Sequence, residues 1–202
     1  IIKRFAKVFD QAYTRFLDLQ KAELQAREAQ IELSLERLRA KTMAMHNSND
    51  VGETVAVMVD ELKKLGVETI RCGIGIMDQP GDMELWTITT KNDKSAMIIG
   101  WLDMSIHPLL QGAVEIWQNK KETYYYELKG DDLLNYFNAI NNYPGYPVGN
   151  KNNDLATLIH HNQFYFSEGT LFAFSLEQLS AEQRKIFSRF AKVFGQTYRR
   201  YL

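Results

Sequence analysis

The apolar positions of this chain change period twice. From Ile1 to Val51 there is no glycine or proline, and Phe5, Val8, Ala12, Leu19, Ala26, Leu33 and Ala40 recur at spacings of three, four or seven. A second line, Leu17, Leu24, Ile31, Leu38 and Met45, recurs every seven. That pattern predicts one continuous amphipathic helix. Between Asp18 and Lys41 the sequence mixes strong helix formers with both charge signs, the composition of a coiled-coil connector. A helix of this length runs about 65–70 Å, so most of it needs partners beyond its own turns.

The polar run His46-Asn47-Ser48-Asn49-Asp50 predicts a break. Asp50 and Glu53 read as a capping box, and Val51, Val55, Met58, Leu62 and Leu65 form one face of a second helix that Gly66 ends. The period then drops to two. Ile70, Cys72, Ile74 and Ile76 alternate with Arg71, Gly73 and Gly75, and Gln79-Pro80-Gly81-Asp82 turns into a second strand, MELWTITT. A third strand, SAMIIGWLDM, follows the turn Lys91-Asn92-Asp93-Lys94. Pro108 opens a helix carrying Leu109, Leu110, Ala113, Val114 and Trp117, ETYYYEL reads as a strand, and Asp131 to Ile140 as a short helix. The prolines and glycines between Asn141 and Asp154 predict a loop long enough to act as a lid. NQFYF and TLFAFS pair as a hairpin around Ser167-Glu168-Gly169, and Ser180 caps a final helix with Ile186, Phe190, Val193, Phe194 and Tyr198 on one face.

That final helix repeats the first. Ile1 to Leu17 reads IIKRFAKVFDQAYTRFL and Ile186 to Leu202 reads IFSRFAKVFGQTYRRYL, a constant offset of 185 with 11 of 17 positions identical. Two helices of similar composition would not share this residue order, so duplication is the simpler account. The expectation is one period of a tandem array: residues 1–46 a connector helix, of which 1–17 match the closing helix of a preceding unit, then a domain over 47–202 closed by a helix at 180–202.

Composition narrows the partners. With 24 basic and 25 acidic side chains the net charge is -1, which offers no broad field for nucleic acid. No apolar run approaches the ~18 residues of a membrane span, and the single cysteine, Cys72, excludes an internal disulfide. The expected location is cytoplasmic, with no membrane contact.

The order helix, helix, antiparallel strands with inserted helices, hairpin, helix resembles the GAF domain of sensory proteins. The segments FAKVFDQAYTRFLDLQKAE, AQIELSLERLRAKTMAMHNS and EGTLFAFSLEQLS are similar to the helical joints of GAF-like repeats in bacterial two-component sensors. The resemblance implies an α+β fold in which a six-stranded or similar antiparallel sheet carries the terminal helices on one face and a pocket under the inserted segments on the other. It also implies a sensor module that reports a small ligand or partner to an output domain, without catalysis of its own.

Its specific ligand signatures are absent. Asn119-Lys120 and Phe137 are not followed by the acidic pair of the cyclic-nucleotide type, and Cys72 falls on the apolar side of a strand, as a buried thiol rather than a pigment attachment point. His160 and His161 are adjacent and point apart, which is poor geometry for a metal, so no cofactor is expected beyond an unidentified small molecule. His46 lacks the surroundings of a phosphoacceptor. The pocket signal is aromatic: Trp86, Trp101, Tyr124, Tyr126, Tyr143, Tyr146, Phe164 and Phe166, joined by His107 at the mouth of the inserted region. For signalling and dimerisation the expected positions are Phe5, Val8, Phe9, Ala12, Phe16, Leu24, Ile31 and Leu38 on the first helix and Phe190, Val193 and Phe194 on the last. The expected partners are a second copy through the terminal helices, adjacent repeats and an output domain. The alternatives are a purely structural spacer and a small enzyme, although no phosphate loop, nucleophile elbow or HExxH is present.

Overall fold

The structure, a computed structural model, describes residues 2–46, 49–77, 81–91, 94–146 and 157–201. The turn residues Gln79, Pro80, Asn92 and Asp93, the break residues Asn47 and Ser48, and positions 147–154 of the expected lid lie outside the described residues, as do the side chains of Phe5 and Val8.

The elements run α1 (Ile2–Met43), α2 (Asn49–Lys64), β1 (Arg71–Met77), β2 (Asp82–Lys91), β3 (Lys94–Asp103), α3 (Pro108–Gln118), β4 (Thr123–Lys129), α4 (Gly130–Asn141), β5 (Leu158–Phe166), β6 (Gly169–Ser175) and α5 (Ala181–Tyr201). The strands make one antiparallel six-stranded sheet in the order β3-β2-β1-β6-β5-β4. The fold is therefore α+β, with the long first helix and the last helix packed together on the sheet.

Alternation along the strands divides the core into two layers. Cys72, Ile74, Trp86, Ile88, Phe164, Leu171 and Ala173 point to the first face, where α1, α2 and α5 cover them. Met83, Leu85, Leu102, Phe172 and Phe174 point to the second, beneath α3, α4 and Tyr146. Burial pushes the Cys72 thiol up to about 12, so it stays an inert apolar group.

The helices of the first face are held in register by polar contacts. Arg27 pairs with Glu182 at 2.8 Å and donates to the Leu65 carbonyl at 2.8 Å, while Arg189 pairs with Glu28 at 2.9 Å and with Glu32. Lys41 reaches Glu53 at 2.6 Å. Rising numbers on α1 thus meet rising numbers on α5 and falling numbers on α2: α1 is parallel to α5 and antiparallel to α2. The chain enters at one end of the layer and α5 leaves at the other. Glu61 is buried in this layer; desolvation pushes its carboxyl up, but hydrogen bonds from Lys64, Ser34 and Arg37 outweigh it and hold the group below its ordinary value. Exposed pairs of this kind add little stability but fix which helix faces meet.

The expected start of α2 differs in detail. Asp50 lies within the first turn and accepts from the His46 backbone N–H at 2.6 Å, while Glu53 turns to Lys41, so these two close the α1–α2 connection. The reciprocal box occurs at α5: Gln183 N–H donates to Ser180 Oγ at 3.1 Å and Ser180 N–H to Gln183 Oε1 at 2.9 Å.

α5 sits on aromatic rings. Phe187 stacks on Phe164 with centroids 5.0 Å apart, and Phe194 meets Phe166 at 5.4 Å. The backbone comes so close at Gly195 that a Cβ there would lie 2.4 Å from Phe166 Cβ. Gly195→Ala should therefore destabilise the domain by about 1–2 kcal/mol, the cost of overpacking less the helix-propensity gain. In a denaturant series the double variant Gly195→Ala/Phe166→Gly, which removes the opposing Cβ, should lose less than the sum of its singles; strict additivity would mean that this contact does not set the helix height.

Candidate ligand cavity

The second layer contains a cluster of polar side chains in an otherwise apolar setting. β1 places Arg71 there, because its neighbour Cys72 faces the helices. β5 contributes His161 and Gln163, which alternate with Asn162 and Phe164. β2 supplies Thr87, α4 supplies Tyr136, and the short stretch after α4 supplies Tyr146. Phe172 and Phe174 of β6 form the floor.

All of these are buried: Arg71 is 9% exposed, His161 2%, Gln163 1%, Tyr136 3%, Tyr146 3% and Thr87 0%. Tyr146 acts as a plug. Its hydroxyl donates to Thr87 Oγ1 at 2.6 Å, and the preceding Gly145 carbonyl accepts from the Trp101 N–H at 2.8 Å. That approach requires a glycine on the strand beneath, since a Cβ at Gly100 would lie 2.4 Å from the Gly145 oxygen. With Tyr146 seated the cavity is about 20 Å³, room for about one water.

The polar groups are incompletely matched. Arg71 lies 5.7 Å over the Phe174 ring and hydrogen-bonds the Tyr136 hydroxyl, and among the described residues no carboxylate pairs with it. Gln163 Nε2 donates to His161 Nε2 at 2.9 Å, which makes that ring nitrogen an acceptor and puts the imidazole proton on Nδ1. Among the described residues, His161 Nδ1 and Gln163 Oε1 have no hydrogen-bond partner. Desolvation, with the Arg71 charge added, pushes His161 down to about 3. The arrangement is a neutral imidazole, an open amide oxygen and a guanidinium without a carboxylate partner among the described residues, gathered under one tyrosine.

The residues expected to line a pocket divide between the layers. Trp86, Phe164 and Phe166 belong to the first layer, and Trp101 lies at its edge, 44% exposed on β3 beside Met97 and Ile99. His107, Tyr124, Tyr126 and Tyr143 reach the second layer but stand outside the cavity wall; of the aromatic set, Tyr146 alone lines it. The His107 ring caps α3, accepting from Leu109 N–H at 3.2 Å, and its other nitrogen lies 3.3 Å from Asp132, which also hydrogen-bonds Tyr126. Sequence reasoning missed Arg71, His161 and Gln163. The available signal was polar residues at alternate positions in strands otherwise apolar on that side. Among the described residues no three His, Cys, Asp or Glu side chains gather as a metal site.

Neither protein-family models nor curated protein sequences give a match to this chain. Function therefore has to be inferred from its residues and their geometry.

The depressed His161 value has a definite sign. The unfolded chain takes up this proton near pH 6.5 and the folded chain not until about 3, so the contribution is complete above 6.5 and is lost as pH falls through that window. The unfolding free energy from urea titrations should fall on acidification below pH 6.5, by at most about 1.4 kcal/mol per pH unit from this one group. His161→Phe should flatten that part of the profile; an unchanged slope would remove His161 as its source.

Proposed function

We propose that this chain is a regulatory sensor module of the GAF-like type, a part of a two-component signalling protein that couples a small-molecule cavity to helices running through it. The observation that carries this reading is the alternation of β5. His161 and Gln163 face the cavity, while Phe164 and Phe166, one and three residues further on, stack against Phe187 and Phe194 of α5. Any ligand that displaces Tyr146 and pulls on His161 or Gln163 acts on the strand that supports the exit helix. Because α1 enters at one end and α5 leaves at the other, the shift passes along the helical axis, towards neighbouring repeats and an output domain.

The helix faces also suggest how copies associate. Ile31, Leu38, Phe190, Val193 and Phe194, expected at an interface, are instead buried in the first layer and serve the domain's own core. Phe9, Ala12, Phe16 and Leu24 stand exposed on the free half of α1, Phe9 at 71% and Leu24 at 72%. Phe9 stacks on Tyr13 just as its counterpart Phe194 stacks on Tyr198, but the latter pair is covered. In an identical copy that seat is already filled by its own α5, and Asp10, which stands where α5 has Gly195, would set a Cβ against Phe166. The stripe therefore suits side-by-side pairing with the same stripe of a second copy. Light scattering at high concentration should show a dimer, and Phe9→Glu with Phe16→Glu should return it to a monomer. A wild-type chain that stays monomeric would contradict the pairing.

A second reading, a spacer without ligand, is favoured by the near-filled cavity of about 20 Å³. Thermal denaturation against a metabolite panel separates the two. A sensor gains melting temperature with some small molecule and, in the same complex, altered amide exchange in α5; a spacer responds to none.

A further inference from the structure

The geometry points to a small hydroxy-carboxylate as the ligand of the cavity, with Tyr146 as the side chain it displaces. This rests on the sensor reading and names the chemical class that the reading leaves open.

The argument starts from charge. A guanidinium removed from water needs an anion or a full set of acceptors, and Arg71 has a tyrosine hydroxyl and an aromatic face. His161 cannot answer that charge, since it is neutral, and it presents an N–H with no acceptor. His161 Nδ1–H is a donor in want of an acceptor oxygen, and among the described residues the Arg71 charge has no carboxylate partner. A planar carboxylate supplies both, with the paired oxygens to which guanidinium is complementary. Gln163 Oε1 is the opposite case, an acceptor with no donor, and it asks for one N–H or O–H on the same molecule.

A hydroxyl meets that need better than an ammonium. Among the described residues no carboxylate lines the cavity to balance a second cation beside Arg71. Size limits the choice further. The seated Tyr146 leaves about 20 Å³, so the space gained is essentially one tyrosine side chain, enough for a compact acid and not for a nucleotide or a tetrapyrrole. The aromatic floor of Phe172 and Phe174 accepts a short carbon skeleton. The plug is held by the Thr87 hydrogen bond and the Gly145–Trp101 contact, and both are surrendered when Tyr146 leaves.

The test uses the full chain and thermal denaturation with glycolate, lactate and malate, each at up to about 10 mM, against propionate as the acid without the hydroxyl, propane-1,2-diol as the neutral match and inorganic phosphate as the plain anion. At least one hydroxy acid should raise the melting temperature saturably, with neither propane-1,2-diol nor phosphate doing so. Tyr146→Ala removes the competing side chain and should bind about tenfold or more tightly, since the open state is then populated in advance. Arg71→Lys should lose most of the response; if it does not fold, Gln163→Leu, which leaves the charge in place, should lose the preference for lactate over propionate.

Stabilisation by propane-1,2-diol equal to that by lactate would overturn the carboxylate assignment and leave the sensor reading standing, as would an Arg71→Lys variant that responds like wild type. Silence of both wild type and Tyr146→Ala towards every compound, on this set and on a wider metabolite panel, would overturn the assignment and the sensor reading together.

Discussion

The packing of α5 on β5 is the contact from which the rest of the module follows. Phe164 and Phe166 are spaced by two on a strand, and Phe187 and Phe194 by seven on a helix, so one pair of rings meets every second turn of the helix. The glycine at 195 lowers the helix onto this surface, and α1 and α2 close the remaining sides with Ile31, Leu35, Leu38, Val55 and Met58. Each fully buried aromatic or aliphatic side chain contributes about 1.5–3 kcal/mol from the area it removes from water. The charged pairs on the rim add little energy, but they choose the parallel order of α1 and α5 and with it the opposite ends of entry and exit.

The second layer obeys different physics. Its walls are as apolar as those of the first, yet it holds a cation, an imidazole, an amide and two phenols whose hydrogen bonds do not all close. Buried polar groups are ordinarily satisfied, and an unmatched donor or acceptor costs about 1–3 kcal/mol. A layer built only for stability would have leucine at 163 and phenylalanine at 161. Two of the unmatched atoms, His161 Nδ1 and Gln163 Oε1, face one small space directly behind the strand that supports α5.

Much of the fold was legible in the chain. The helix of period seven, the switch to period two at Ile70, the hairpin around Glu168 and the cap at Ser180 all rest on local spacing, which survives any tertiary arrangement. The cavity was less legible. Aromatic residues on strands suggest a lining by composition, but a strand sends alternate side chains to opposite faces, and both faces here are covered; Trp86, Phe164 and Phe166 pack under the helices. Arg71, His161 and Gln163 read as ordinary polar residues until the neighbouring strands show that their side is buried. His107 was drawn to the cavity mouth by position, and its ring is occupied in capping α3.

The sequence by itself determined the elements, their order, the two apolar faces of the long helix and its recurrence 185 residues later, because each is a matter of spacing along one chain. Tertiary structure decided which of those faces is covered. Leu17, Leu24, Ile31, Leu38 and Met45 lie on one unbroken line, yet the first two are exposed and the last three buried, since only the second half of α1 has helices and a sheet against it. Likewise the same aromatic pair is surface at Phe9 and core at Phe194. Burial depends on what lies opposite a side chain, and no residue carries that information in its own neighbourhood.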